Sequence, residues 1–257
     1  ELLADGIAIG VEDLHFPGHL VLSEIGRGAN GIVLRCRNVF LDRPEAVKVW
    51  LKLRDQDNRN KFVQGLAEAR KAASAVGSYV PQVYSAGVLG RNYFYVSMQI
   101  VEGPTLKKLL SPARHFIDDI TPVPTSTLLA RVVFAQAYIH VLDELLDRDL
   151  VHGDPHASNI IVASYDLTRR TARLKLLDFG TSCFSSTESL DVRHWRVVHE
   201  TMSRIFDHHP IFVSKGRPPT NIHGRLRHYS EHIREILEIW DNYGADPIVG
   251  RLSKNEI

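Results

Sequence analysis

The sequence predicts an α+β fold: a β-rich first part carrying one helix, then a larger and mainly helical part. Three observations predict it. Short runs of β-branched and aromatic residues, punctuated by turn residues, fill positions 19–101. A long stretch at 125–147 repeats its apolar residues by three and four. A second helical period occupies 188–206. With 257 residues the chain suits one domain of two lobes, or two small domains, and is long enough to bury a large share of its surface. Its 44% apolar and 24% charged residues are those of an ordinary soluble globular protein. A net charge of +1 leaves no basic footprint, so nucleic acid is not indicated.

Residues 1–20 carry little pattern. Residues 19–25 alternate roughly as a strand, and 32–37 form a second. Between them lies Gly26-Arg27-Gly28-Ala29-Asn30-Gly31, a G-x-G-x-x-G spacing. In a dinucleotide-binding unit this spacing opens a helix, and the β-branched Ile32 and Val33 argue against one. A strand–glycine loop–strand hairpin can lie over phosphates, its backbone close because glycine has no Cβ. Taken alone, the string is equally a plain hairpin turn.

Residues 45–50 read as a third strand, with Ala46 and Lys48 on one face. Residues 60–76 read as a helix whose stripe is Phe62, Leu66, Ala69, Ala73 and Val76. Glu68 lies on that helix, twenty residues past Lys48. Strands at 83–88 and 93–99 follow, the second running into Met98-Gln99-Ile100-Val101-Glu102-Gly103-Pro104. A short helix is predicted at 105–111. The long helix at 125–147 carries Leu128, Val132, Ala135, Ile139, Leu142 and Leu146, the core helix of a helical part, and its His140 reads as structural.

Two motifs then stand in order. Val151-His152-Gly153-Asp154-Pro155-His156-Ala157-Ser158-Asn159 follows a β-like run at 149–151, and Asp178-Phe179-Gly180 follows another at 173–177. Asn159 is five positions past Asp154, and Asp178 nineteen past Asn159. Each tripeptide alone is a weak signal, but both in this order are strong. With the glycine loop, Lys48 and the 98–104 segment, they resemble the protein kinase-like superfamily over about residues 20–206.

That resemblance implies a two-lobed kinase-like fold: a small antiparallel sheet with one helix (1–101), then a mainly helical lobe (102–257), with 207–257 as a helical extension. It implies ATP between the lobes, magnesium as the metal, and transfer of the γ-phosphoryl group to a hydroxyl. Asp154 would orient or deprotonate the acceptor, and Asn159 and Asp178 would hold magnesium. Lys48, paired with Glu68, would position the α and β phosphates, and Gly26, Gly28 and Gly31 would cover them. Val33, Ala46 and Ile161 would sandwich adenine, with Ile25 beside the nucleotide. Met98 would limit the depth of the adenine pocket, and Gln99 and Val101 would offer it backbone groups.

The chain also departs from the regulated kinases. Gly153 stands where they carry an Arg that meets a phosphorylated loop, no A-P-E motif follows, and the polar segment 181–187 is short. The resemblance therefore implies activity without phosphorylation of the chain itself. H-G-D with His156 two residues on is similar to the aminoglycoside and choline kinases and to small RIO-type kinases. Three acceptor classes stay open: Ser or Thr of a protein, a small molecule pocketed by residues from 207 onward, or a nucleotide switch inside a complex.

Cys36 and Cys183 give neither a disulfide framework nor a zinc set, so a reducing, cytoplasmic setting, or delivery into a cytosol, is expected. Cys183 reads as a small packed residue. The chain opens without Met on the acidic Glu1-Leu2-Leu3-Ala4-Asp5, with neither a signal peptide nor a membrane span in view. The 13 His are scattered, His208-His209 being the one pair, and read as surface residues. Residues 217–219 read as a loop and 226–243 as a helix.

Overall fold

In the computed structural model the described residues are 2–4, 7–9, 16–28, 31–50, 58–75, 77, 79–89, 93–110, 128–179, 190–206 and 222–243. Ala29, Asn30, the segment 181–187 with Cys183, His208-His209 and the expected loop at 217–219 lie outside them. Contacts divide the chain into two compact units, Glu1–Val101 with Asp178–Phe184 and Glu102–Leu177 with Ser185–Ile257. A boundary after Val101 alone would assign Asp178 to the second unit, whereas its contacts lie with the first.

In the first unit, β1 (Leu2–Ala4) and β2 (Ile7–Ile9) form a separate antiparallel ribbon, where the sequence showed little pattern. The main sheet holds β3 (His19–Gly28), β4 (Gly31–Asn38), β5 (Arg43–Trp50), β6 (Val83–Leu89) and β7 (Tyr93–Gln99). It is five-stranded, antiparallel throughout, in the order β3-β4-β5-β7-β6. Alternation gives it two faces. Ile32, Leu34 and Cys36 of β4 join Val47 and Val49 of β5 and Phe16 in one buried cluster. Trp50, Phe94 and Val96 form a second cluster with Ala69 of α1 (Asn58–Ser74). Central β5 is buried from Glu45 to Trp50, on both faces.

Burying Glu45 requires partners. It is 1% exposed and accepts from His19 Nε2 at 2.8 Å, Arg43 NH2 at 2.7 Å, Asn38 Nδ2 at 3.2 Å and the Ser97 hydroxyl. Burial alone would raise its pKa, and the bonds from Ser97, Arg43 and His19 bring it below the ordinary carboxylate value. The guanidinium of Arg43 also lies 3.5 Å from the Tyr84 ring centroid, so this cluster ties β3, β4, β5, β6 and β7 together.

Helix α1 begins and ends two residues earlier than its periodicity predicted. Leu66 and Ala69 pack on the sheet, while Ala73 is exposed in the last turn, since an alanine carries too little apolar surface to fix a face by itself. Of the rest of the expected stripe, the Phe62 side chain and Val76 lie outside the described residues. Gly65 lets the helix approach closely. A Cβ there would sit 2.6 Å from Cδ1 of Phe94 and 3.0 Å from Cδ2 of Trp50.

The second unit comprises α2 (Leu106–Leu110), α3 (Leu128–Leu146), β8 (Ile160–Asp166), β9 (Thr171–Leu176), α4 (Leu190–Ile205) and α5 (Ile222–Tyr243). Helix α3 is buried on most sides: Phe134, Tyr138, Val141 and Leu145 join Val132, Ala135, Ile139, Leu142 and Leu146 of the predicted stripe, whose Leu128 side chain lies outside the described residues. The antiparallel β8–β9 hairpin and helices α4 and α5 pack against it. Helix α5 starts four residues before the expected 226–243, and its Leu226, Tyr229 and Ile233 are buried at helical spacing. No helix among the described residues is long and apolar enough to cross a membrane.

The expected β-like run at 149–151 is instead the stop signal of α3. The Asp149 N–H donates to Leu146 O at 2.9 Å and the Leu150 N–H to Leu145 O at 2.9 Å, with Asp149 left-handed at φ 56°. This is a Schellman closure with Asp in place of the usual Gly, so its sequence signal is faint.

The close seating of α1 generates a prediction. Gly65→Ala would favour an isolated helix by about 1 kcal/mol. In this chain the clash with Phe94 and Trp50 outweighs that gain, for a net loss of about 1–3 kcal/mol. Thermal unfolding should show a melting temperature lower by several degrees. An unchanged or raised midpoint would remove the close-packing account.

Candidate active site

Lys48 is on the β5 face that meets α1, and Glu68 is on the α1 face that meets β5. The Lys48 Nζ lies 2.6 Å from Glu68 Oε1 and 3.0 Å from Asp178 Oδ1. It also lies 4.8 Å from the Trp50 ring centroid, two residues along the same strand face. Lys48 is 7% and Glu68 5% exposed, so these charges are largely out of water. Burial works against the ammonium, and the carboxylates of Glu68 and Asp178 overcome it and hold its pKa above the ordinary value. Burial pushes the Glu68 carboxyl upward despite Lys48, and Asp178 adds to the rise. The Oε2 of Glu68 is buried without a hydrogen bond among the described residues, which works in the same direction. Asp178 adopts a left-handed backbone, φ 61°, which Asp tolerates better than most residues.

The strand register places further expected residues on this face. Val33 pairs across strands with Lys48, Ala46 with Met98, and Gly26 with Val33. Val33, Ala46, Lys48 and Met98 therefore form one patch, and Gly26 lies at its β3 edge. Ile25 falls at a register shift between Glu24 and Gly26 and is 46% exposed. The glycines of the loop differ in what requires them. A Cβ at Gly31, φ 154°, would sit 2.0 Å from Val49 O, so packing against β5 demands a glycine there. A Cβ at Gly26 would only touch Val33 at 3.9 Å, so the fold makes no such demand on Gly26. Gly28 pairs with Gly31 across the loop. Among the backbone groups expected to serve adenine, the Gln99 N–H is committed to Gln82 O at 2.8 Å.

In the second unit the Schellman turn after α3 releases the chain into 151–159. Pro155 O accepts from Tyr138 Oη of α3 at 2.8 Å and from Thr201 Oγ1 of α4 at 3.3 Å. His152 is fully buried, its Nε2 donating to Leu177 O at 2.9 Å and its Nδ1 accepting the Asp154 N–H at 3.3 Å. The ring is thus held as the neutral Nε2–H tautomer. Asn159 donates Nδ2 to Asp154 O at 3.1 Å, and its backbone carbonyl accepts the Leu177 N–H at 2.7 Å. The first bond leaves Oδ1 as the amide's acceptor. The Asp154 carboxylate has Arg193 NH2 at 3.7 Å and His156 Nε2 at 3.7 Å. Ile161 is half-buried on β8, where Thr105 bridges to it.

Lys48, Glu68 and Asp178 are thus together in the first unit, and Asp154 and Asn159 together in the second. Sequence reading missed Gly65 and the Glu45 cluster, whose signals lie in packing, and His194. The last is 1% exposed on α4, and its Nδ1 accepts the Gly153 N–H at 3.2 Å. Burial, with His152 nearby, lowers its pKa to about 3.

With this geometry in place, the comparisons give the class. Residues 20–201 match the protein kinase domain family, well over half of the chain, and the chain belongs to that family. It is 30% identical over 162 residues to the serine/threonine-protein kinase PknL of Mycobacterium bovis, which is 63% of this chain and 36% of that protein. It is 28% identical over 167 residues to a probable serine/threonine-protein kinase of Clostridium acetobutylicum, 65% of this chain and 23% of that one. Over 168 residues it is 30% identical to the serine/threonine-protein kinase PknF of Mycobacterium tuberculosis, 64% of this chain and 32% of that one. The chain spans about a third or less of the length of these curated relatives.

The buried His194 generates a pH prediction. A histidine titrates near 6.5 when unfolded, so below that pH the unfolded chain takes up a proton that the folded chain refuses. The contribution is fully present above about pH 6.5 and is lost progressively toward about pH 3. Urea midpoints measured between about pH 7 and pH 5 should therefore fall more steeply in wild type than in His194→Asn. Equal slopes would mean that His194 is not held neutral.

Proposed function

We propose that this chain is the catalytic domain of a serine/threonine-protein kinase, transferring the γ-phosphoryl group of MgATP to a hydroxyl of a protein. The observation that carries this reading is the buried Lys48 held between Glu68 and Asp178, on the sheet face that also presents Val33, Ala46 and Met98. A lysine so fixed is suited to the α and β phosphates, which repay its desolvation with charge. Val33 and Ala46 offer small apolar surface to adenine, with Ile25 at the edge of the same strand face. Met98 limits the pocket, and Val101 supplies a backbone donor. Gly26, which the fold itself does not require, and Gly28 cover the phosphates together with Gly31.

Asp154 takes the catalytic role, orienting the acceptor hydroxyl and receiving its proton as the oxygen attacks. By donor chemistry Asn159 and Asp178 would each serve as magnesium ligands, because an amide Oδ1 and a carboxylate are hard oxygen donors. When bound, magnesium neutralises the negative charge that builds on the phosphate oxygens. Asp178 also stays bonded to Lys48, which fixes the carboxylate. The names of the relatives, all serine/threonine-protein kinases, support a protein acceptor over a small molecule.

The direct experiment incubates the purified chain with γ-labelled ATP and magnesium, first with mixed protein substrates and then with a metabolite panel. Label on Ser or Thr supports the reading. Label only on a small molecule would overturn the protein acceptor, and absence of both label and ADP would overturn transfer altogether.

Two substitution experiments test the residues. Lys48→Ala should lower turnover about 100-fold or more, and Glu68→Ala about tenfold, through a misplaced lysine. The double variant should be no slower than Lys48→Ala, because the two act as a unit. Losses that multiply would show that the pair does not exist in function. Asp178→Asn should lose magnesium-dependent turnover while keeping its circular dichroism spectrum, and near wild-type turnover would remove the metal assignment.

A further inference from the structure

The second unit holds a buried histidine that the proposed chemistry leaves unused. His194 sits near the start of α4 and is 1% exposed. Because its Nδ1 accepts the Gly153 N–H at 3.2 Å, the proton of the neutral ring is on Nε2. That Nε2 is buried and has no hydrogen-bond partner among the described residues. An unpaired buried donor lowers stability, and an apolar side chain of similar size would remove the loss. What the ring offers in return is its acceptor.

The place of that acceptor is specific. Gly153 immediately precedes Asp154 and has φ 83°, so its backbone has the freedom of glycine next to the proposed catalytic carboxylate. The following N–H, that of Asp154, is taken by His152 Nδ1 at 3.3 Å. Two successive amides are thus each held by an imidazole nitrogen, one from the loop itself and one from α4. Arg193, beside His194 on the helix, places NH2 3.7 Å from the Asp154 carboxylate. The start of α4 therefore grips the loop at a backbone amide and at the side chain.

Resting on the kinase reading above, we propose that His194 is a positioning residue for phosphoryl transfer, its Nδ1 anchoring the Gly153 amide and thereby the orientation of Asp154. Placement of the base affects the chemical step and not the affinity for nucleotide. Asn suits this role, because its Oδ1 occupies nearly the position of the imidazole Nδ1, whereas Leu fills the space without an acceptor.

The experiment compares wild type, His194→Asn and His194→Leu by amide hydrogen exchange at Gly153, by kcat and KM for MgATP, and by melting temperature. The Leu variant should exchange Gly153 at least tenfold faster and lose at least tenfold in kcat, with KM for ATP within twofold. The Asn variant should stay close to wild type in both. Should Leu fail to fold, His194→Gln replaces it with the same expectations, since its oxygen sits one carbon further out. Equal Gly153 exchange in all variants overturns the anchor, and equal loss of kcat in Asn and Leu overturns the acceptor role. An inactive wild type with exchange as expected would instead overturn the kinase reading and leave the anchor standing.

Discussion

The first unit depends on one buried ammonium. Lys48 lies on the strand buried on both faces, and a lone cation there would be prohibitively costly. Glu68 and Asp178 supply its counter-charges, and each imposes a demand on the chain. Glu68 reaches it because α1 lies flat on Trp50 and Phe94, which Gly65 permits. Asp178 reaches it from far along the sequence, and so its contacts belong with the sheet that precedes it. A helix, a glycine and a distant motif are thereby tied to one nitrogen atom. Such a cluster is weak evidence for stability, since desolvation offsets much of the attraction.

The opposite sheet face solves a similar problem by a different route. Glu45 is buried among His19, Asn38, Arg43 and Ser97, with a bond for each carboxylate lone pair that matters. The result is a lowered pKa, in contrast to the raised one of Glu68 across the sheet. These two buried glutamates, one on β5 and one on α1, differ because the bonds from Ser97, Arg43 and His19 outweigh burial at Glu45, whereas burial and the nearby Asp178 outweigh Lys48 at Glu68.

In the second unit, the loop carrying Asp154 buries Pro155 and Ala157. It is fixed by hydrogen bonds from three directions: Tyr138 on α3, Thr201 and His194 on α4, and His152 within the loop. Helix α5 adds to the same body by packing on α3, so a segment beyond the matched family region is part of how the unit is built. Membership of the protein kinase domain family accounts for residues 20–201, and the fold around them is an α+β arrangement of antiparallel sheet and helices.

The sequence by itself determined what is local or chemically explicit. Runs of β-branched and aromatic residues, with rough alternation in β3 and β5, marked the strands from β3 to β7, and period three to four marked α1, α3 and α4. The residue types at Lys48, Asp154, Asn159 and Asp178, in their order and spacing, pointed to the protein kinase family to which the chain belongs. What only the tertiary structure decided rests on contacts between residues remote in the chain. Asp149 ends a helix by a left-handed turn that any short polar residue can disguise, so 149–151 looked like a strand. Gly65 and Gly31 are required by atoms of Phe94, Trp50 and Val49, invisible to any window of sequence. The Gln99 N–H was open to a ligand until Gln82 was seen to occupy it. His194 carried no motif at all, since a histidine acquires its meaning from what its nitrogens meet, and the Gly153 amide lies forty-one residues away.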